Sequence, residues 1–221
     1  MRSPFIRLAL LAVLLLGAVP VYADTMIDTM PAWTGTGSSW PPSFSVGQTI
    51  TAPGSDPILQ SFTFYAWDVP GPATFAVYVM QWTGYRADGP VLFETGPLVT
   101  SNNGGLDGME AVTVYPNLWL DAGIEYVVFL SGPGRSGGPS GDVSFPILSV
   151  DAYAGGHAVV TSSFEYVTTE SWGTFSTDPG RDFGFTAHFS HVAPVPEPSS
   201  LLLLGAGLVG MVGAAWRRLR K

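Results

Sequence analysis

Hydrophobic and polar residues alternate along most of the central part of the chain. In Ile58–Ala66, Phe62 and Phe64 fall on the face opposite Thr63, and Ala73–Trp82 repeats this pattern. Side chains two residues apart share one face of a strand, so the alternation predicts β-strands. Further segments predicted as strands are Val46–Thr51, Val91–Thr95, Met109–Tyr115, Glu125–Ser131, Val143–Val150, Ala158–Thr168, Ser171–Ser176 and Asp182–Phe189.

Turn-forming residues separate these segments. Glycine, proline, asparagine and aspartate favour the backbone conformations of tight turns. They cluster at Pro70–Pro72, Asp88–Pro90, Asn102–Gly105 and Asp178–Gly180. No ten-residue stretch between residues 24 and 194 shows a helical period. The expected fold class is therefore all-β, an antiparallel β-sandwich over residues 24–194.

An apolar segment near the start of the chain has the layout of a secretory signal. Arg2 and Arg7 precede the apolar run Leu8–Val19, and small residues lead to a cut between Ala23 and Asp24. Twelve helical residues reach only about 18 Å, less than a bilayer core. Residues 1–23 are therefore predicted to be a signal peptide with a signal helix, and the alternative is an uncleaved anchor helix.

The other long apolar segment closes the chain. Ser199–Trp216 carries no charged residue, and a helix of this length spans about 27 Å. Four basic residues follow it: Arg217, Arg218, Arg220 and Lys221. This pattern predicts a C-terminal transmembrane helix whose basic end stays cytoplasmic and whose preceding residues lie outside.

Pro196, Glu197 and Pro198 come directly before this predicted span. The Pro-Glu-Pro tripeptide, the apolar segment and the basic residues occur in the order found in the PEP-CTERM sorting signal of Gram-negative bacteria that export polysaccharide. Residues 195–221 therefore resemble that signal. The resemblance implies that an exosortase recognises Pro196, Glu197 and Pro198 in the inner membrane and cleaves the tail. It also implies an anchored precursor that is later released to the cell surface or extracellular matrix. The alternative is an ordinary C-terminal anchor with a proline-rich approach.

Charge and composition exclude several classes of binding partner and chemistry for residues 24–194. Residues 24–194 hold sixteen acids against three arginines, a formal net charge of −13. Such a domain repels nucleic acid and anionic lipid. The chain has no cysteine, and its single lysine is Lys221. Disulfides, cysteine nucleophiles and lysine Schiff-base chemistry are therefore unavailable to this domain.

Three segments of the central part carry a second resemblance. They are Gly47–Gly54, Trp82–Leu92 and Leu120–Tyr126. They look like parts of a domain found in exported bacterial proteins. The likeness implies a jelly-roll-like fold, some of whose relatives bind carbohydrate. It transfers no binding residue to this chain.

Aromatic residues supply the candidate ligand site. The chain has seven tryptophans, and sugar-binding proteins stack pyranose rings on exposed aromatic side chains. Trp82 and Tyr85 lie in a polar segment beside Arg86, so they are the candidates for a glycan-binding platform, and core packing is the alternative. Core positions are expected for Trp67 and Trp119.

Signals for catalysis or metal binding are weaker. Ser136 lies in a match to the nucleophile elbow with His157 downstream, but glycine and proline follow where that motif needs a helix. His157, His188 and His191 are expected as separate surface side chains, and no metal site is assigned. Acidic loop residues make a structural calcium ion an open alternative to solvated charges. These residues are Asp107, Glu110, Asp121, Asp142 and Asp151.

The sequence thus predicts an exported, non-catalytic envelope or matrix protein with no cofactor. Its expected partners are a transient exosortase, the membrane before processing, and the exopolysaccharide of a biofilm matrix. Two alternatives remain open, an extracellular hydrolase acting on glycan and a purely structural surface protein.

Overall fold

The structure is a computed structural model that describes residues 24–191 apart from 42–43, 69–70, 102–107, 136–138, 163 and 175–179. Of residues 40, 67, 68 and 174 only the backbone is described. Among the described residues no helix is long and apolar enough to cross a membrane. The predicted signal helix and C-terminal transmembrane helix lie outside the described residues.

Short strands account for almost all the regular structure that is described. They are β1 (Thr25–Asp28), β2 (Gly37–Trp40), β3 (Ser45–Thr51), β4 (Ile58–Asp68), β5 (Thr74–Trp82), β6 (Ala87–Glu94), β7 (Leu98–Val99), β8 (Glu110–Val114), β9 (Leu118–Trp119), β10 (Glu125–Ser131), β11 (Val143–Pro146), β12 (Ala158–Thr161), β13 (Gly173–Thr174) and β14 (Phe185–Ser190). Three 3₁₀ turns, Met30–Ala32, Pro133–Arg135 and Phe164–Tyr166, complete the described elements. The all-β prediction is confirmed.

The strands form two antiparallel sheets. In the first sheet β14 lies between β1 and β4, and β8 and β9 pair with the other edge of β4. Strand β11 pairs with the last two residues of β4, and β2 pairs with β11. The second sheet has the order β13-β12-β3-β10-β5-β6, with β7 also paired to β5. The chain changes sheet at most of its connections, among them β3 to β4, β4 to β5, β7 to β8 and β9 to β10. This strand order agrees with a jelly-roll-like sandwich.

The inner core lies between the two sheets and follows the predicted alternation. Phe62 and Phe64 of β4 face Val77 of β5, and all three are almost fully buried. Phe62 stacks on Phe185 of β14 with ring centroids 5.1 Å apart. Aromatic pairs of this kind add to the stabilisation that comes from burying their area.

A second apolar group, called here the outer cluster, covers the opposite face of the second sheet. Its members come from β5, β6, β10, β12 and residues 164–172: Ala76, Tyr78, Met80, Trp82, Ala87, Val127, Phe129, Val159, Val167 and Trp172. Residues 164–172, called here the strap, pass over that face, and their Trp172 N–H donates to Tyr85 O at 2.8 Å. The second sheet is therefore buried on both sides.

Several predicted boundaries are wrong. Asp88–Pro90, predicted as a turn, lies inside β6, and the turn before it is closed by Thr83 N–H donating to Arg86 O at 3.0 Å. Proline is tolerated there because β6 is an edge strand, where an N–H is not needed for pairing. The predicted strand Ala158–Thr168 ends at Thr161, since the chain turns into the strap.

Candidate functional site

The predicted glycan platform does not form as one surface. Trp82 at the end of β5 is only 4% exposed, because it packs at 5.5 Å against Trp172 of the strap. Tyr85 lies in the turn after β5 and is 50% exposed. Trp82 is thus too buried for a sugar to stack on it, and of the predicted pair Tyr85 presents an accessible side chain.

Tyr85 is held beside a cation. The guanidinium carbon of Arg86 lies 5.2 Å from the centre of the Tyr85 ring, within the range of a cation–π contact. The backbone carbonyl of Tyr85 accepts a hydrogen bond from the backbone N–H of Trp172 in the strap at 2.8 Å, and this bond fixes the turn. The exposed ring is therefore mounted on a hydrogen-bonded turn.

Next to buried Trp82, the structure brings together polar groups that the sequence analysis had not combined. His157 Nδ1 lies 3.3 Å from Thr49 Oγ1 and 4.0 Å from Glu125 Oε1. The His157 ring stands edge-on to Trp82 with centroids 6.1 Å apart. The grouping follows from strand pairing that no single segment of the sequence specifies, since Ala158 pairs with Gln48 and Val127 pairs with Thr49.

This group lacks the geometry of a catalytic triad. In a triad the acid and the nucleophile contact opposite nitrogens of the histidine. Here Thr49 and Glu125 both approach Nδ1 of His157, and the backbone N–H of His157 donates to the Thr49 hydroxyl at 2.8 Å. Thr49 is also fully buried, so it is not accessible to a substrate. The arrangement positions the turn before β12.

A second polar group, also missed by the sequence analysis, surrounds Asp182. Its carboxylate accepts from Gln48 Nε2 at 2.8 Å and from the backbone N–H groups of Ala152 and Tyr153 at 2.9 and 2.8 Å. Burial raises the pKa of Asp182 to about 6, although the three N–H donors lower it in part. The carboxylate joins β3 of the second sheet to the segment that leads into β14 of the first.

The remaining candidate residues do not converge. Ser136 and Asp107 lie outside the described residues. His188 Nε2 lies 3.3 Å from Asp24 Oδ2, and His191 Nδ1 lies 2.6 Å from Ser55 O. Among the residues that the structure describes, no three acidic or histidine side chains come close enough to hold a metal ion.

Among the calcium candidates, Asp121 is exposed and Glu110 is engaged at the sheet edge. The Glu110 carboxylate accepts from Ser101 N at 2.6 Å and from Ser101 Oγ at 3.1 Å. Asp151 lies beside Gly180, and Asp142 is half-buried just before β11. These four acids therefore occupy separate places in the described fold.

Trp119, expected in the core, is 65% exposed. It stands between Leu118, which packs against the inner core, and Leu120, which is buried. Alternation alone would have placed Trp119 on the outer face, so the signal was present.

The family comparison concerns the end of the chain. The family model of the PEP-CTERM protein-sorting motif matches residues 194–221. The chain carries a PEP-CTERM sorting motif. The resemblance read from residues 195–221 is thereby confirmed, and the motif implies an exported protein that an exosortase processes transiently. No curated protein matches the chain.

In the sequence, Pro196, Glu197 and Pro198 follow shortly after the last strand of the described domain. Strand β14 ends at Ser190, and the matched residues begin at position 194. The box, the basic residues Arg217, Arg218, Arg220 and Lys221, and Ala23 of the predicted signal cleavage all lie outside the described residues. Their individual roles remain predictions.

Proposed function

We propose that this protein is a non-catalytic surface or extracellular-matrix protein, exported across the inner membrane and delivered by exosortase processing. The jelly-roll-like domain is the delivered part, and residues 195–221 are the sorting signal that holds the precursor in the inner membrane. The observation that carries the proposal is the sorting motif at residues 194–221, directly behind a β-domain that ends with β14.

Removal of the tail provides the test. In cells that contain an exosortase, the full chain should lose its tail and leave the membrane fraction, as measured by mass spectrometry of the fractionated protein. Glu197→Ala should leave the tail attached because it removes the charge of the recognition box. Glu165→Ala, a change of an exposed acid in the strap, is the matched control and should be processed normally. Equal processing in cells without an exosortase would contradict the proposal.

A second candidate function is binding of a neutral exopolysaccharide at Tyr85. It is favoured by the exposed ring on its hydrogen-bonded turn and by the acidic charge of the domain, which disfavours anionic polymers. Titration of the protein with a neutral exopolysaccharide, with calcium and then with EDTA, should give saturable binding that Tyr85→Ala weakens. Tyr166→Ala, which removes another exposed tyrosine, is the matched control.

The same titration separates the hydrolase alternative. A hydrolase would release reducing sugar ends from the polymer over time, whereas a binding or structural protein would release none. No binding by the unaltered protein would favour a purely structural surface protein.

A further inference from the structure

The two ends of the described domain lie together. β1 and β14 are antiparallel neighbours in which Thr25 pairs with Phe189, so the start of β1 lies beside the end of β14. Asp24 contacts His188 at 3.3 Å, and His191 contacts the carbonyl of Ser55 at 2.6 Å. The predicted signal-peptide cut and the start of the sorting tail are therefore both attached at one end of the sandwich.

Trp119 belongs to the same end. Ile58, the first residue of β4, pairs with Ser190 on one side and with Trp119 on the other. We call this region the terminal end and define it by Asp24, Ser55, Trp119 and His191. The far end is marked by Val99, which pairs with Thr74 at the start of β5.

The length of the tail limits how far the terminal end can move from a bilayer. Ser190 and Ser199, the first residue of the predicted span, are separated by a chain that reaches at most about 30 Å when fully extended. Strand β4 alone has 11 residues, which corresponds to about 36 Å. An anchored precursor therefore keeps its terminal end nearer to the membrane than the length of its own sheet.

The chemistry of this side of the first sheet suits a membrane interface. Trp119, Tyr115 and Met26 are 65%, 69% and 67% exposed. Tyr115 follows Val114, which pairs with Phe62 of β4, and Met26 pairs with His188 of β14, so both lie within a few residues of the terminal end. Met26 points outward because its neighbour Ile27 packs against the inner core. Tryptophan and tyrosine favour the headgroup region of a bilayer, where an apolar ring and a polar tip are both accommodated. Asp24 and Asp121 are exposed nearby, so anionic headgroups would oppose the contact.

We propose that, in the anchored precursor, the terminal end rests on the lipid headgroup region through Trp119 and Tyr115. This rests on the proposed function, because the contact requires a tail inserted in the membrane. The partner that the terminal end contacts is the headgroup region of a neutral or zwitterionic bilayer. Release of the tail removes the tether and with it the contact.

The cysteine-free chain permits a direct test with single-cysteine labels. Ser55→Cys places a fluorophore at the terminal end, and Val99→Cys places one at the far end as the matched control. The full chain is reconstituted in phosphatidylcholine vesicles that contain a brominated phosphatidylcholine, which quenches fluorophores on contact. Quenching at position 55 should be several-fold greater than at position 99. The double variant Trp119→Ala/Tyr115→Ala should reduce the quenching at position 55. Replacement of the unbrominated phosphatidylcholine by phosphatidylglycerol, with the brominated lipid kept constant, should reduce it as well.

Each contrary result has a distinct meaning. Equal quenching at positions 55 and 99 in vesicle-bound protein would overturn the inference and leave the sorting proposal intact. Failure of the full chain to pellet with the vesicles would contradict the anchored precursor itself. Quenching at position 55 that survives loss of both aromatic residues would overturn their role in the contact. A label signal at position 55 that depends on protein concentration rather than on lipid would identify a second copy as the occupant and overturn the proposal.

Discussion

The two sheets of this protein differ in what covers their outward faces. In the first sheet the outward residues of β4 include Ser61 and Thr63, and Thr63 hydrogen-bonds through its hydroxyl to Thr113 of β8 at 2.9 Å. In the second sheet the corresponding residues of β5 include Tyr78 and Met80, and both are buried in the outer cluster. Ser61 and Thr63 give the outward face of β4 hydroxyl side chains that need no apolar cover, whereas the outward face of β5 is apolar and is covered by protein.

The strap supplies that cover. Trp172 packs edge-on against Trp82 at 5.5 Å and against Phe129 at 5.4 Å, and Phe164 lies 4.9 Å from Tyr78. The indole N–H of Trp172 donates to Val167 O at 2.9 Å, which closes the strap on itself. A strand that is apolar on both faces therefore indicates an additional layer, even when the covering segment has little regular structure of its own.

Removing the main anchor of the strap should produce the largest effect. Trp172→Ala deletes the ring that contacts Trp82 and Phe129, and a buried tryptophan replaced by alanine costs about 3–5 kcal/mol. The free energy of unfolding in urea measures the loss. Trp119→Ala is the matched control on the other sheet and should change that free energy by less than about 0.5 kcal/mol, because the ring is exposed. Similar losses in both variants would contradict the difference between the two outward faces.

The next largest effect is expected at Asp182, which links the two sheets through Gln48. Burial raises the pKa of Asp182 to about 6 from its ordinary value of 3.8, so the folded protein binds this proton more tightly than the unfolded chain. The stability that protonation provides is present below pH 3.8 and is lost as the pH rises through 6. A pKa shift of this size corresponds to a fall of about 3 kcal/mol in the free energy of unfolding as the pH rises.

Urea unfolding at a series of pH values measures this dependence, and Asp182→Asn should flatten the curve between about pH 4 and 6. Asp56 provides an internal contrast. The hydrogen bond from the Thr25 hydroxyl lowers the pKa of Asp56. The stability that the ionised Asp56 contributes is therefore lost only as the pH falls below the ordinary pKa of an aspartate. A pH dependence unchanged by Asp182→Asn would show that this carboxyl does not control it.

How much of this fold the sequence could predict depended on where the information lay. The long strands β4, β5 and β10 were predicted because each is long enough to carry a hydrophobic pattern of its own, and the bounds of Glu125–Ser131 were correct. The strands β1, β2, β7 and β9 were not predicted, since two to four residues hold too little pattern. Their positions are set by the partner strand beside them.

The candidate site was less predictable for a related reason. Sequence placed Trp82 and Tyr85 together because they are near in the chain, yet the strap, from ninety residues further on, buries Trp82 and leaves Tyr85 exposed. Asp182 gave no local signal, since its three donors come from β3 and the loop at 152–153. Long-range contacts decide burial, and alternation within one strand does not report them. The sorting motif needed no such contacts and was read correctly.

The smallest expected loss of stability tests how tightly the outer cluster packs on the second sheet. Gly47 of β3 lies opposite Phe129 of β10, and an added Cβ would be 2.5 Å from Phe129 Cβ and 2.7 Å from Val128 O. Phe129 could give way only by moving against Trp172, so Gly47→Ala should cost about 1–3 kcal/mol of overpacking. Gly173→Ala on β13 is the matched control, because its nearest neighbour would be Val160 Cγ1 at an ordinary 3.7 Å. Urea unfolding of both variants distinguishes a tightly packed outer cluster, in which only Gly47→Ala is destabilising, from a loose cover that tolerates either methyl group.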